Sequence, residues 1–271
     1  MFKKIAMISA FILGLNQTTA AIDVESVITS AHRVESASRD QYRHPAETLK
    51  FFGVEEDMTV VEIWPGGKGW YSEILAPFLK DQGKLYAAHF NADSTSQFYR
   101  SSREKFTEKL KASPELYENV ILTSFNPPEY VDIAPPGSAD RVLTFRNVHN
   151  WYMRGGGDAR VLSAFQAFYQ ALKPGGKLGV VEHRLADERP LSDQEASGYM
   201  RQDYVQSMAE KAGFVFVAES NTNRNPKDST DHPKGVWTLP PSLRLGEHKR
   251  DHYLAIGESD RMTLLFQKPM K

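Results

Sequence analysis

The chain has 271 residues, with 33 Lys and Arg against 34 Asp and Glu, a formal charge of −1, an apolar share of 41% and no cysteine. That length suits one large α/β domain or two small ones. The balanced charge lacks the basic excess of a nucleic-acid binder, and the missing cysteines exclude disulfides, thiolate nucleophiles and zinc–cysteine centres.

The first residues stand apart from the rest. Lys3 and Lys4 precede an apolar run from Ile5 to Leu15, interrupted by Ser9 and Gly14, and Thr18-Thr19-Ala20-Ala21 offers small residues for cleavage. This is the pattern of a secretory signal peptide over 1–20. The run is too short to span a bilayer, with an uncleaved N-terminal anchor as the alternative. Export across a bacterial inner membrane to the periplasm is expected, leaving no stable membrane span once the leader is removed.

Residues 21–58 read as a helical cover. Val24 to Asp40 has the pattern of one polar amphipathic helix, and Pro45 opens a short helix through Leu49, Phe51 and Phe52. Residues 59–271 read as an α/β domain. Thr59 to Ile63 is the first strand, and Glu62-Ile63-Trp64-Pro65-Gly66-Gly67-Lys68-Gly69 leads into the helix Tyr71 to Leu79, which Pro77 should kink or shorten. Glycines let a backbone approach a ligand closely, and a helix N-terminus offers free N–H groups to an anion. An ordinary strand–turn–helix corner is the other reading of this turn.

Further strands are expected at Lys84–His89, Asn119–Ser124, Asp140–Phe145, Lys177–Val181, Phe214–Ala218 and Arg261–Phe266. Helices are expected from Thr95 to Ala112, from an Asp158 cap to Leu172, and from Ser192 to Ala212, the last carrying Tyr199, Arg201, Asp203 and Tyr204. Pro174-Gly175-Gly176 should end the second of these and turn the chain into the fifth strand. Residues 221–259 form a polar, proline-containing insertion, read as a lid holding His232, Trp237 and Arg244 or as a packed surface loop. Alternating strands and helices predict a doubly wound, mostly parallel sheet, with one of the last two strands antiparallel because no helix separates them.

Four of these segments together resemble the class I S-adenosylmethionine-dependent methyltransferases: Glu62 to Gly69, Asp140 to Trp151, Leu172 to Glu182, and Lys211-Ala212-Gly213-Phe214. Within that superfamily the Glu-Ile-Trp-Pro-Gly-Gly loop, Asn225 to Asp228 and Gly235 to Pro241 are similar to a group of exported bacterial methyltransferases. The resemblance implies a seven-stranded Rossmann-like sheet and S-adenosylmethionine as cofactor. Glu62 would lie under the methionine ammonium, and Gly66, Gly67 and Gly69, with Trp64 in the same loop, would meet its carboxylate end. His89 stands where many members carry an acid for the ribose hydroxyls, Asn126 is placed at the adenine, and Arg146 and Asn147 sit where cofactor and substrate meet. Two departures stand out: Trp64 replaces the usual first glycine with Pro65 removing an N–H donor, and His89 replaces the acid.

His149 and His183 follow the fourth and fifth strands, neighbours in the sheet order that the resemblance implies, and are the candidate catalytic bases, each with a second reading as a structural residue bonded to its surroundings. With His89 they have the ligand type of a zinc site, but no close-spaced pair accompanies them, and no metal is expected. The expected substrate is a small molecule or an envelope component. The rival reading is a methyltransferase-fold binding protein without transfer activity.

Overall fold

The computed structural model describes residues 23–271, so the expected leader over 1–20 lies outside the described residues. The strands are β1 (Thr59–Ile63), β2 (Lys84–His89), β3 (Val120–Ser124), β4 (Ala139–Phe145), β5 (Leu172–His183), β6 (Val215–Ser220), β7 (Pro233–Val236) and β8 (Arg261–Gln267). Seven form one sheet in the order β3-β2-β1-β4-β5-β8-β6, and β7 lies apart. The first five pair in parallel, while β8 runs antiparallel to both β5 and β6. This is the expected seven-stranded, doubly wound sheet, and β8 is its antiparallel strand.

The helices are α1 (Val24–Ile28), α2 (Asp40–Arg43), α3 (Pro45–Phe51), α4 (Ser72–Leu79), α5 (Gln97–Ala112), α6 (Pro114–Tyr117), α7 (Val148–Tyr152), α8 (Gly157–Ala171), α9 (Gln194–Ser197), α10 (Gln202–Lys211) and α11 (Arg250–Ile256). Strand alternation sorts the core onto two faces. Val61, Ile63, Val142, Val180 and Leu264 meet Phe165 and Phe168 of α8 and Met208 of α10. On the other face Val60, Leu143, Val181 and Leu265 meet Ile74 and Leu75 of α4, with Leu49 and Phe52 of the N-terminal cover. Each such side chain, fully buried, contributes about 1.5–3 kcal/mol before entropy is counted. Among the described residues no helix is long and apolar enough to cross a membrane.

Several expected boundaries are corrected. Val24 to Asp40 is not one helix: α1 ends at Ile28, and two single 3-10 turns precede α2. Ser30 sits in extended backbone and bonds its hydroxyl back to the Ser26 carbonyl, the local competition that keeps serine out of helix interiors. The helix expected from Ser192 to Ala212 is broken at Gly198, which takes φ +73°, and a Cβ there would lie 2.8 Å from Val236. Tyr199 therefore lies off α10, and Arg201 is its N-cap residue, which lets Arg201 pair with Asp203 at 2.7 Å although the two could not share a helical face.

Asp158 does not cap α8; its carboxylate accepts the Tyr204 hydroxyl instead. β5 already begins at Leu172, so Pro174-Gly175-Gly176 lies within it, and it runs two residues past Val181. The insertion is ordered around buried Asp228, which accepts the Tyr199 hydroxyl and the N–H groups of Thr230 and Asp260, and bonds His232 Nε2 at 2.8 Å.

Candidate functional site

The parallel strands end at one edge of the sheet, where ligands of open α/β sheets bind. Because β8 is antiparallel, it starts at that same edge, and the segment leading into it delivers Glu258, Ser259 and Arg261 there.

After β1 the chain turns at Trp64, in the left-handed region with φ +47°. Its indole is buried, donates from Nε1 to the Phe125 carbonyl at 2.8 Å, and packs against Phe90, Phe125 and Trp151 at 4.6, 6.0 and 5.6 Å. The ring thus sits beneath the turn and does not close the space above it. A cleft of about 720 Å3 remains, lined by Trp64, Gly66, Gly67, Phe90, Tyr99 and Asn147 among others, within the range of about 300–1,000 Å3 usual for ligand sites. Gly69 has φ +56°, and a Cβ there would stand 2.5 Å from the Phe106 ring, so the turn can pass this close only without a side chain.

The other residues expected to hold a cofactor fall in different places. Asn147 Nδ2 donates to the Ile63 carbonyl at 2.9 Å and ties the end of β4 to that of β1. His89 turns into the core: Nδ1 accepts the Phe90 N–H at 2.8 Å, the ring lies 5.1 Å from that of Phe106, and Nε2 makes no well-formed hydrogen bond among the described residues. Burial pushes its pKa down to about 4, against a smaller opposing interaction with the Gly66 backbone, so the ring is neutral. His89 lines neither cleft beside the glycine turn. Asn126 also lies outside both, donating to Glu129 at 3.1 Å within its own loop. Glu62 is buried on the opposite face of β1 from Trp64 and accepts the Ser72 hydroxyl at 2.6 Å; burial raises its pKa to about 7 in spite of that bond.

Gly66, Gly67 and Lys68 also wall a second cleft, of about 460 Å3, reached by Arg39, Arg43, Lys109 and Arg146. Arg146 follows β4 in the left-handed region at φ +63°. Arg43 is 3% exposed and stacks over Trp70 with its Cζ 4.4 Å from the ring centroid. Arg261 joins them from β8. Glu258 is the acid of this group: Arg39 bonds it at 2.6 Å, Arg261 bonds it closely, and Arg43 stands at 3.8 Å. Burial alone would raise the Glu258 pKa, but Arg261, Arg39 and Arg43 outweigh it and hold the carboxyl at about 2.

His149 and His183 do come together, with ring centroids 5.2 Å apart. Glu182 joins them, although alternation along the strand predicts that it should face away. Its carboxylate accepts His149 Nδ1 at 2.9 Å and the backbone N–H groups of His149 and His183. A carboxylate only accepts, so Nδ1 is the nitrogen of His149 that donates to Glu182, and Nε2 is the nitrogen left for another partner. His183 Nδ1 lies 2.5 Å from the Ser259 hydroxyl, and burial, then positive neighbours including Arg261, Arg146 and Arg43, holds its pKa well below the ordinary value. Donor atoms of His149, Glu182 and His183 lie within 4.8 Å of one another, a cluster able to hold a cation, whereas His89 stands apart from it. Trp237 of the insertion lies 6.1 Å from His149 and shields the pair from that side.

Arg39, Arg43, Glu182, Glu258 and Arg261 escaped the sequence reading. The signal for Glu182 was its place next to His183. None marked the arginines, whose acid stands 219 residues along the chain from Arg39.

No protein-family profile and no curated protein matches the sequence. Solved structures do share the fold. A SAM-dependent methyltransferase from Aquifex aeolicus has 17% identity over 74% of this chain and 93% of its own, with a TM-score of 0.52. Phosphoethanolamine N-methyltransferase 2 of Haemonchus contortus, solved with S-adenosyl-L-methionine, has 15% identity over 92% of this chain and 61% of its own, at 0.55. The cyclase SpnF has 14% identity over 84% and 81%, at 0.54. The chain therefore has the Rossmann-like methyltransferase fold, a fold that also hosts a protein described as a cyclase.

Proposed function

We propose that this chain is an exported, S-adenosylmethionine-dependent methyltransferase acting on a small molecule or an envelope component. One observation carries the reading: the glycine turn after β1 is the shared wall of two clefts, one floored by aromatic rings and one basic. That arrangement suits a nucleoside on one side and a charged amino-acid tail at the turn itself. Gly66 adopts φ +71°, and a Cβ there would meet nothing within 4 Å, so the backbone stands open to a ligand. Trp64, Phe90 and Asn147 would hold the nucleoside, Gly66, Gly67 and Lys68 the carboxylate, and Glu62 would face the ammonium. When bound, the cofactor supplies an electrophilic methyl group. His149, oriented by Glu182 through Nδ1, would take the acceptor's proton on Nε2. Trp237 and the buried walls around the pair exclude water.

Calorimetry on the leaderless protein is expected to show saturable binding of S-adenosylmethionine or S-adenosylhomocysteine, with label passing from methyl-labelled cofactor to an envelope extract. Absence of binding to both refutes the reading. A second reading, a binding protein of this fold without transfer, is favoured by the buried turn of His89, which places no carboxylate at the end of β2 for the ribose. Saturable cofactor binding that leaves His149→Ala and wild type equally without transfer to any extract favours it.

A further inference from the structure

The basic cleft beside the glycine turn holds more positive charge than the protein neutralises. Four guanidinium groups, Arg39, Arg43, Arg146 and Arg261, share the single carboxylate of Glu258. The other charges here cancel: Lys109 bonds Glu73, Arg33 bonds Asp40 at 2.8 Å, and the cleft wall carries one further cation, Lys68, and one further anion, Glu35. Four charges less one leaves an excess of three; Arg43 and Arg261 are buried, and Arg39 and Arg146 are half-buried. Arg43, 3% exposed, makes no hydrogen bond through Nε, and Nη2 of Arg39 and Nε of Arg261 are likewise unpartnered. Among the described residues Arg146 has no side-chain hydrogen bond or ion pair. Burial and its arginine neighbours push its pKa down to about 10, the mark of a cation held among like charges.

A folded chain keeps unmatched buried charge only at a cost, and guanidinium forks fit phosphate and carboxylate oxygens in pairs. The carboxylate of a methionine tail brings one negative charge, against three in excess. We propose that Arg43 and Arg146, supported by Arg39, bind an acidic group of the methyl acceptor, a phosphate or a carboxylate, so that the acceptor is an anionic molecule. This rests on the methyltransferase reading for the word acceptor and on the arginines for the anion. The cleft wall formed by Gly66 to Lys68 would bring that acidic group next to the cofactor. His183, which feels Arg43, Arg146 and Arg261, and His149 beside it would then lie within the same polar interior as the acceptor.

Inorganic phosphate is the probe. Titrated into the leaderless protein by calorimetry, it is expected to bind whether or not S-adenosylhomocysteine is present at saturation. Arg146→Gln and Arg43→Gln are each expected to weaken phosphate by at least about tenfold, while the Arg146 variant binds S-adenosylhomocysteine within about threefold of wild type. Without ligand, Arg146→Gln is expected to melt no lower than wild type, since it relieves like-charge repulsion. A purely structural arginine would lower the melting temperature instead, and that result overturns the proposal. So does mutual exclusion of phosphate and S-adenosylhomocysteine, which would assign the arginines to the cofactor tail, and so does phosphate binding unchanged in both variants or absent from wild type. If S-adenosylhomocysteine fails to bind while Arg146-dependent phosphate binding persists, the methyltransferase reading falls and the anion site stands.

Discussion

Glu62 shows how one buried atom pair ties chemistry to stability. Its folded pKa, about 7, lies above the ordinary 4.5. The folded state therefore binds the proton more tightly than the unfolded chain does. The stabilisation is complete below pH 4.5 and disappears as pH rises through 7. A shift of this size corresponds to roughly 3 kcal/mol. Denaturant titrations should thus find wild type weaker at pH 8 than at pH 5.5, while Glu62→Gln flattens that difference and gains roughly 1–3 kcal/mol at pH 8. A cationic ligand group settling beside Glu62 would reverse the preference and release a proton, seen as buffer-dependent binding heats near pH 6.5. Trp64 makes the opposite point. Its replacement of glycine looks from sequence like an obstruction, yet its side chain packs into the core with Phe90 and Phe125 and lines the cleft without filling it. Trp64→Ala should cost about 3–5 kcal/mol by chemical denaturation.

Among the elements, the seven strands of the sheet were legible, while β7 and the helices after Ser192 were not. Short apolar runs, β-branched in β1, with glycine or proline close by mark β1, β2, β4 and β8, and hydrophobic periodicity marks α8. The break at Gly198 lacked a local signature because its cause is tertiary: β7 and Trp237 come back to lie against it. Gly198→Ala should lower stability by about 1–3 kcal/mol, since it adds both strain at positive φ and a clash with Val236. The paired histidines could be read from strand ends, because the family resemblance supplied the strand order. Glu182 could not, since its carboxylate curls back to the N–H groups of its own neighbour and of His149. The arginine group was hidden for a plainer reason. Charged residues in a polar N-terminal segment look like a solvated face, and only contact with the segment before β8 buries them.

For the molecule as a whole, Glu258 is the link between the N-terminal cover and the C-terminal half of the sheet. Arg39 and Arg43 reach it from one, Arg261 from the other. Glu258→Gln should cost about 3–5 kcal/mol, the penalty of stranding buried cations. Hydrogen exchange should then speed up in residues 31–43, and added phosphate should recover part of the loss. Because the carboxyl pKa is depressed to about 2, its contribution is intact above pH 4.5 and fades as pH falls towards 2.

The position of β8 carries its own consequence. It is the final strand in chain order, yet it lies between β5 and β6, so β6 has no other neighbour in the sheet. Until Arg261 to Gln267 arrive, β5 has an open margin and β6 nothing to join. A nascent polypeptide of this design cannot lock its architecture before β8 has been made, and stays a loose thread until then. Loose threads are what a narrow translocation channel can pass, so late closure and passage through a membrane are physically compatible.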